Sequence, residues 1–231
     1  MITCPICKTT HNKSDLRRLD SNCLFLKLEG VNQHLIRYQC KKCGVIFGSE
    51  EMLNLEPSKL SKYYQDIYNS GYREDDWSDF ELYVFLKSNP NKDGVYVNWG
   101  AGTSSTSEKA KDLGYTLYNY DPGLPSSSFA SYLTREYMTQ NMRGKIDVIM
   151  SNNVLDHLQD PISDLLFMKS LLKDGGKMLH ASDGFAYEMC HTKAHLFFFV
   201  GKSVDFISDA IGMKHRFIDA NRSGMKIVEW T

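Results

Sequence analysis

Residues 95–105, Val-Tyr-Val-Asn-Trp-Gly-Ala-Gly-Thr-Ser-Ser, carry a β-branched and aromatic run straight into two glycines and then into small hydroxyl residues. A strand that ends on glycines and hands over to a helix lets a ligand approach bare backbone, and the first turn of the helix adds unpaired N–H groups. From residue 94 onward the chain alternates between the two patterns. Strands are expected over 94–99, 115–120, 145–152 and 176–182, and helices over 104–114, 160–175 and 203–212. Asp160 is read as an N-cap with Pro161 at the first helical position and Gly175 as the stop; Ser203 is read as the N-cap of the last helix. Residues 214–220 and 225–230 read as a closing strand pair, and one short strand is expected within 128–133. Strand–helix–strand order implies an α/β fold, a mainly parallel sheet with helices on both faces. In such sheets ligands sit beyond the carboxyl ends of the strands, which directs attention to the end of the first one.

Ahead of this region, residues 58–70 and 75–88 read as helices rich in aromatics, the first with Ser58 near its N-cap. The stripe is expected to be core, with Tyr64 or Tyr72 as candidates for lining a pocket.

The first fifty residues are of another kind. Cys4-Pro-Ile-Cys7 and Cys40-Lys-Lys-Cys43 form two Cys-x-x-Cys pairs, and strand-like runs at 24–29 and 34–39 flank a Gly-Val-Asn-Gln turn between them. Two such pairs offer four thiolates at tetrahedral corners, the pattern of a zinc ribbon, with Gly44 placed where the knuckle turn needs a positive φ. A site closed by four sulfurs leaves no position for water, so the metal is expected to be structural, and it supplies folding energy that a ~50-residue module cannot draw from its own core. The rival reading is a pair of redox dithiols. His11 or His34 is a substitute ligand in principle, and Cys23 and Cys190 read as buried apolar fillers. The domain expectation is therefore a zinc-ribbon-like module over 1–50 followed by an α/β domain over 51–231.

Charge bounds the partners. The chain is −1 overall, +4 over residues 1–50 and −5 over the remainder. That balance argues against nucleic acid, whose binding domains carry a stronger basic bias. No apolar run approaches the ~18 residues of a membrane span, and the N-terminus has no apolar signal core, so a cytoplasmic protein without membrane insertion is expected.

The glycine turn suits three ligand classes. A phosphate loop would want Gly-Lys-Ser/Thr, and no lysine is placed for it. A dinucleotide fingerprint would want a third glycine where Ser105 stands. S-adenosylmethionine remains, with Asp121, at the end of the second strand, able to accept both ribose hydroxyls. The later segments 147–161, 171–182 and 195–214 follow in order at suitable distances. With them, residues 58–220 resemble the class I S-adenosylmethionine-dependent methyltransferases. The similarity is closest to a bacterial subgroup with an N-terminal Cys-x-x-Cys…Cys-x-x-Cys module and a Tyr-Tyr helix, matched here by Tyr63-Tyr64; some of its members methylate sugars.

The resemblance implies a Rossmann-like methyltransferase sheet. It implies cofactor contacts from Asn98, Trp99, Gly100, Ala101, Gly102, Asp121, Asn152 and Asn153. Val-Leu-Asp156-His157 matches the family's Val-Leu-Glu-His, and His195 opens a His-Leu-x-Phe-Phe segment. Three departures stand out. Asn98 occupies a position that is usually acidic and cannot neutralise the methionine ammonium. Ser104 replaces the loop's third glycine, and no acid for the adenine is identifiable around Thr134–Glu136.

Methyl transfer to a hydroxyl needs alignment, exclusion of water and a base near neutral pKa. The candidate bases are His195 first, then His157 and His191, with His191 and His195 spaced to share one helical face. Asn153-x-x-Asp156-His157 lacks one carboxylate of the superfamily's Glu-x-x-Glu-His metal motif, so no catalytic metal is expected. The expected function is O-methylation of a sugar or other small molecule in glycan or metabolite biosynthesis. The alternatives are an RNA methyltransferase anchored by the basic ribbon, and a non-catalytic cofactor-binding scaffold.

Overall fold

The computed structural model describes residues 1–22, 34–69, 77–124, 132–187 and 193–231. Cys23, Cys190, His191, Tyr72, the expected strand 24–29 and the turn after it lie outside the described residues.

In chain order the elements are β1 (Ile2–Thr3), β2 (Thr10–His11), β3 (Arg17–Asn22), β4 (His34–Gln39), β5 (Ile46–Phe47), α1 (Glu50–Leu53), α2 (Pro57–Asn69), α3 (Ser78–Lys87), β6 (Tyr96–Trp99), α4 (Thr106–Asp112), β7 (Leu117–Tyr120), α5 (Arg135–Asn141), β8 (Ile146–Asn152), α6 (Pro161–Leu171), β9 (Leu172–Ser182), β10 (Phe197–Phe198), α7 (Ser203–Ile211), β11 (His215–Asp219) and β12 (Lys226–Trp230). The main sheet runs β11-β12-β9-β8-β6-β7. Its β6–β9 section is parallel, and β12 and β11 close it antiparallel. Of the strand expected within 128–133, residues 128–131 lie outside the described residues, and Tyr132 forms a parallel bridge with Asn119.

Alternation along the parallel strands builds two cores, one on each face. Tyr96, Val148, Met150, Leu179 and Ile227 face α3 and α4, where Phe80, Val84, Phe85 and Ala110 meet them. Val97, Trp99, Ile149, Met178 and Val228 face the other way, against Leu165 and Met168 of α6 and Ile207 of α7. No helix among the described residues is long and apolar enough to cross a membrane.

The helix expected over 160–175 ends at Leu171, and β9 begins at the next residue. The Asp160 cap is present, its Oδ1 accepting from Ser163 N at 3.3 Å. The Leu-Lys-Asp-Gly-Gly that reads as a helix end is instead claimed by β8. Leu172 pairs with Ile146 and Lys177 with Val148, so three extra residues of β9 form a bulge in which Gly175 takes φ 72°. Two smaller corrections concern caps. Pro57, not Ser58, opens α2, at the position where a missing N–H costs nothing. Lys202 occupies the cap position of α7, with Ser203 already helical. The stretch 134–145, unread in the sequence, holds α5, capped by Thr134 through Tyr137 N.

The cysteine module makes its own four-stranded sheet, β10-β5-β4-β3, and its outer strand β10 comes from the far end of the chain. Phe197 pairs with Phe47 and Phe198 with Ile46. Gly44 and Gly201 pack backbone to backbone; a Cβ on Gly44 would lie 2.9 Å from Gly201 Cα. Cys4, Cys40, Cys43 and Phe47 belong to the same apolar cluster as Trp99, Leu165 and Trp230. The module is thus packed into the body over a continuous core.

His180 on β9 lies wholly inside this core, its Nδ1 2.7 Å from Ser151 Oγ and its ring 5.5 Å from Trp230. Burial holds its pKa down to about 3 from an ordinary 6.5. The unfolded chain takes up that proton first, so the contribution is complete above pH 6.5 and drains away as pH falls toward 3. Denaturant titrations should show the protein losing about 2 kcal/mol through this group between pH 7.5 and pH 5. The loss should shrink by that amount in His180→Gln; an equal loss in both proteins would remove His180 as the cause.

Candidate active site

The carboxyl ends of β6, β7, β8 and β9 open on one edge of the sheet, and most of the expected site residues gather there. After Trp99 the chain turns through Gly100 at φ 69° and Gly102 at φ 52°. Gly100 N and Ala101 N both donate to Tyr120 O, at 2.7 and 3.1 Å, which fastens the loop to the end of β7. A Cβ on Gly100 would come within 2.5 Å of Val154, so this glycine is required by close approach as well as by φ. Trp99 is buried against Tyr120, ring centroids 4.2 Å apart. Asp121 is buried at the tip of β7; its Oδ2 accepts from Gly102 N at 2.8 Å and its Oδ1 from Gly123 N at 2.7 Å. The acid and the glycine loop are thus one hydrogen-bonded unit. Tyr132 adds its hydroxyl to Gly102 O from the neighbouring segment.

Asn98 points away from that unit, to the α3 face. Its Nδ2 donates to Glu81 Oε2 at 3.0 Å, and Ser104 Oγ and Thr106 Oγ1 donate to the same oxygen at 2.6 Å each. Glu81 is only 2% exposed, and burial pushes its carboxyl above the usual range. Asn152, two residues beyond the β6 partner Met150, is buried, and neither side-chain atom has a hydrogen-bond partner among the described residues. Asn153 takes φ 50°, its N–H donating to Ala181 O at 2.9 Å and its Oδ1 accepting from Asp183 N at 3.3 Å.

Beyond β8 and β9 the structure assembles a second cluster. Asp156 is fully buried; its Oδ1 accepts from Ser182 Oγ at 2.8 Å, and its backbone oxygen accepts from Leu196 N at 2.7 Å. The other carboxylate oxygen, Oδ2, lies 3.5 Å from both His157 Nε2 and His195 Nδ1 and has no hydrogen-bond partner among the described residues. Asp183 Oδ1 stands 3.8 Å from His195 Nδ1. The two imidazoles meet edge to face at 4.6 Å, and Tyr64 of α2 brings its hydroxyl to 3.2 Å from His157 Nδ1. His195 sits in non-helical chain just before β10, so the helical face expected for it is replaced by a strand entry. A fully buried arginine of the cysteine module, Arg37 on β4, donates from Nη2 to His195 O at 3.0 Å and lies over the Phe198 ring.

The four cysteines converge at the other end of that module. Cys4 and Cys43 sulfurs are 3.6 Å apart, as are those of Cys7 and Cys40, and all four lie within 4.8 Å of one another. No disulfide joins them. The donor set and spacing fit a tetrahedral metal ion. His11 Nε2 sits 3.4 Å from Cys40 Sγ as a neighbour of the cluster. Asp156, His157 and His195 also have ligand atoms within 4.8 Å of one another.

The sequence reading missed Glu81, Asp183 and Arg37. Asp183 was open to inference, since it directly follows a strand end; the other two carried no local signal.

An open sheet of this order, with a glycine turn after its first parallel strand and an acid after its second, is the Rossmann-like fold of methyltransferases. A family model described as a methyltransferase domain matches residues 69–202, and the chain belongs to that family of enzymes. No curated protein matches its sequence. Among solved structures it is similar to a Burkholderia thailandensis 1,6-didemethyltoxoflavin N1-methyltransferase with bound 1,6-didemethyltoxoflavin and S-adenosylhomocysteine. The identity is 12%, over 85% of this chain and 93% of that one, with a TM-score of 0.55. A SAM-dependent methyltransferase from Aquifex aeolicus is similar at 13% identity, covering 77% of this chain and 98% of that one, with a TM-score of 0.51.

Proposed function

We propose that the chain uses S-adenosylmethionine to methylate a hydroxyl of a small molecule or of a sugar in a glycan. The observation that carries this reading is the buried Asp156 carboxylate shared by two imidazoles, one strand over from the glycine loop. The residues at the tips of β6 and β7 would hold S-adenosylmethionine, which would supply a methyl group made electrophilic by positive sulfur. Asp121 is the candidate for the ribose diol. Its carboxylate retains lone pairs beyond the two backbone bonds it accepts, and those bonds fix its direction.

His195 is proposed as the base. Its Nδ1 faces Asp156 and Asp183, and its Nε2 is assigned the proton of an acceptor hydroxyl, which would be removed as the oxygen attacks the methyl carbon and the carbon–sulfur bond breaks. The two carboxylates stabilise the imidazolium that forms. His157, held between Asp156 and Tyr64, is placed to orient the acceptor. A net charge of −5 outside the first fifty residues favours a small acceptor over RNA. Residues 1–50 form the proposed metal-holding unit, with Cys4, Cys7, Cys40 and Cys43 as ligands of a structural zinc, and residues 51–231 the catalytic unit. Four reduced thiols suit a cytoplasmic setting.

A second reading, that Asp156, His157 and His195 hold a catalytic metal, draws on their mutual spacing. Metal analysis separates the two. The purified protein should hold about one zinc per chain, lost in Cys40→Ser and retained in Asp156→Asn. A second equivalent that disappears in Asp156→Asn would reassign the histidines as ligands. Kinetics test the base: His195→Gln should lower turnover by at least about 100-fold while cofactor affinity moves less than about threefold. The reverse pattern would make His195 a binding contact.

A further inference from the structure

Asn98 stands where an acid is expected, and the structure holds an acid beside it. Glu81 is a buried carboxylate with three neutral donors, Asn98 Nδ2, Ser104 Oγ and Thr106 Oγ1, all converging on Oε2. Among the described residues no cation pairs with it. A carboxylate this deep is normally matched by a positive group, because three neutral hydrogen bonds do not replace the lost hydration of a full charge.

The sheet register shows where a matching charge would come from. Asn98 pairs with Met150 in parallel register, so Asn98, Met150 and Asn152 share the face covered by α3, the helix that carries Glu81. Asn152 is the last residue of β8. Its buried amide completes no hydrogen bond of normal geometry among the described residues, yet it lies close enough to Glu81 to favour the ionised carboxylate, so acid and amide make one polar patch at the end of β8. Glu81 is also tied to the glycine loop: Ser104 Oγ bonds Thr106 Oγ1 at 2.6 Å, and Ser78, three residues before Glu81, holds Ser105 N at 3.0 Å.

We propose that Glu81 is the relocated acid of the cofactor site. Reaching in from α3, it supplies through Asn98 the negative charge that β6 lacks, and with the Asn152 amide it recognises the ammonium of the cofactor's amino-acid end. A ligand cation against a buried carboxylate favours its ionised form, so the free energy that burial withholds from Glu81 is returned on binding. Ser104, in place of the loop's third glycine, has its role here as a donor that anchors the acid. The proposal rests on the reading that the donor is S-adenosylmethionine.

The test compares two nucleosides by calorimetry on the zinc-loaded protein. S-adenosylhomocysteine carries the ammonium, and 5′-methylthioadenosine lacks the whole amino-acid end. Glu81→Gln keeps the shape and removes the charge. It should weaken S-adenosylhomocysteine at least tenfold and leave 5′-methylthioadenosine within twofold. The double variant Glu81→Gln/Asn98→Asp puts the acid back on the strand and should recover S-adenosylhomocysteine affinity to within threefold of the parent. An equal loss for both nucleosides, or no recovery in the double variant, would reduce Glu81 to a loop support and overturn the proposal. Should Glu81→Gln alone fail to fold, recovery in the folded double variant decides by the same criterion. Unaltered affinity in Glu81→Gln also overturns it, while absence of binding by the parent protein defeats the donor reading instead.

Discussion

The turn at the end of β6 is the constraint on which the site depends. Gly100 must be left-handed and must lack a side chain, because Val154 fills the space that a Cβ would need. That close approach locks the glycine loop to the segment leading into Asp156 and His157. Two N–H groups of the loop donate to Tyr120 O and a third to Asp121, so the second strand is fixed by the same turn. From the opposite face, Glu81 gathers Asn98, Ser104 and Thr106 around one oxygen. One tight turn therefore sets the relative positions of Asp121, a buried acid under the loop and the entry to the histidine cluster.

The cysteine module contributes to the site rather than standing beside it. Its strand β5 pairs with β10, which begins two residues after His195. Gly48 N donates to Leu196 O at 3.1 Å, Lys202 N to Cys43 O at 2.8 Å, and Arg37 Nη2 to His195 O at 3.0 Å. The chain segment that carries the candidate base is thus bracketed on both sides by residues of the cysteine module. A module of that size would gain from four-sulfur ligation a rigidity beyond what its packing against the body supplies. A metal held by the four cysteines would rigidify the side that carries His195, whereas Asp121 and the glycine loop are placed by the main sheet and α3.

What was legible in the sequence is what local chemistry determines. The strand–glycine–helix unit, the Asp160 cap, the closing hairpin of β11 and β12 and the paired Cys-x-x-Cys turns all depend on neighbours in sequence, and all are present. Gly175 misled because Leu-Lys-Asp-Gly-Gly has the composition of a helix end, and pairing with β8 overrides that preference. Glu81 was illegible for the opposite reason. It sits between Phe80 and Val84 on a helix that reads as core and solvent faces, and its partners come from a strand end, a loop and the start of α4, 17 to 25 residues away. Arg37 shares the inward face of β4 with Leu35 and is explained by a carbonyl 158 residues along the chain. Buried charges are placed by tertiary partners, and no periodicity announces them.

The central claim is that a sulfonium nucleoside lies across the tips of β6 and β7 with its sugar held by Asp121. Isothermal calorimetry of S-adenosylhomocysteine against the parent protein and Asp121→Ala tests it most directly. The account predicts one binding site per chain and at least tenfold weaker affinity in the variant. Equal affinity in the two proteins, or no heat from the parent, would contradict it.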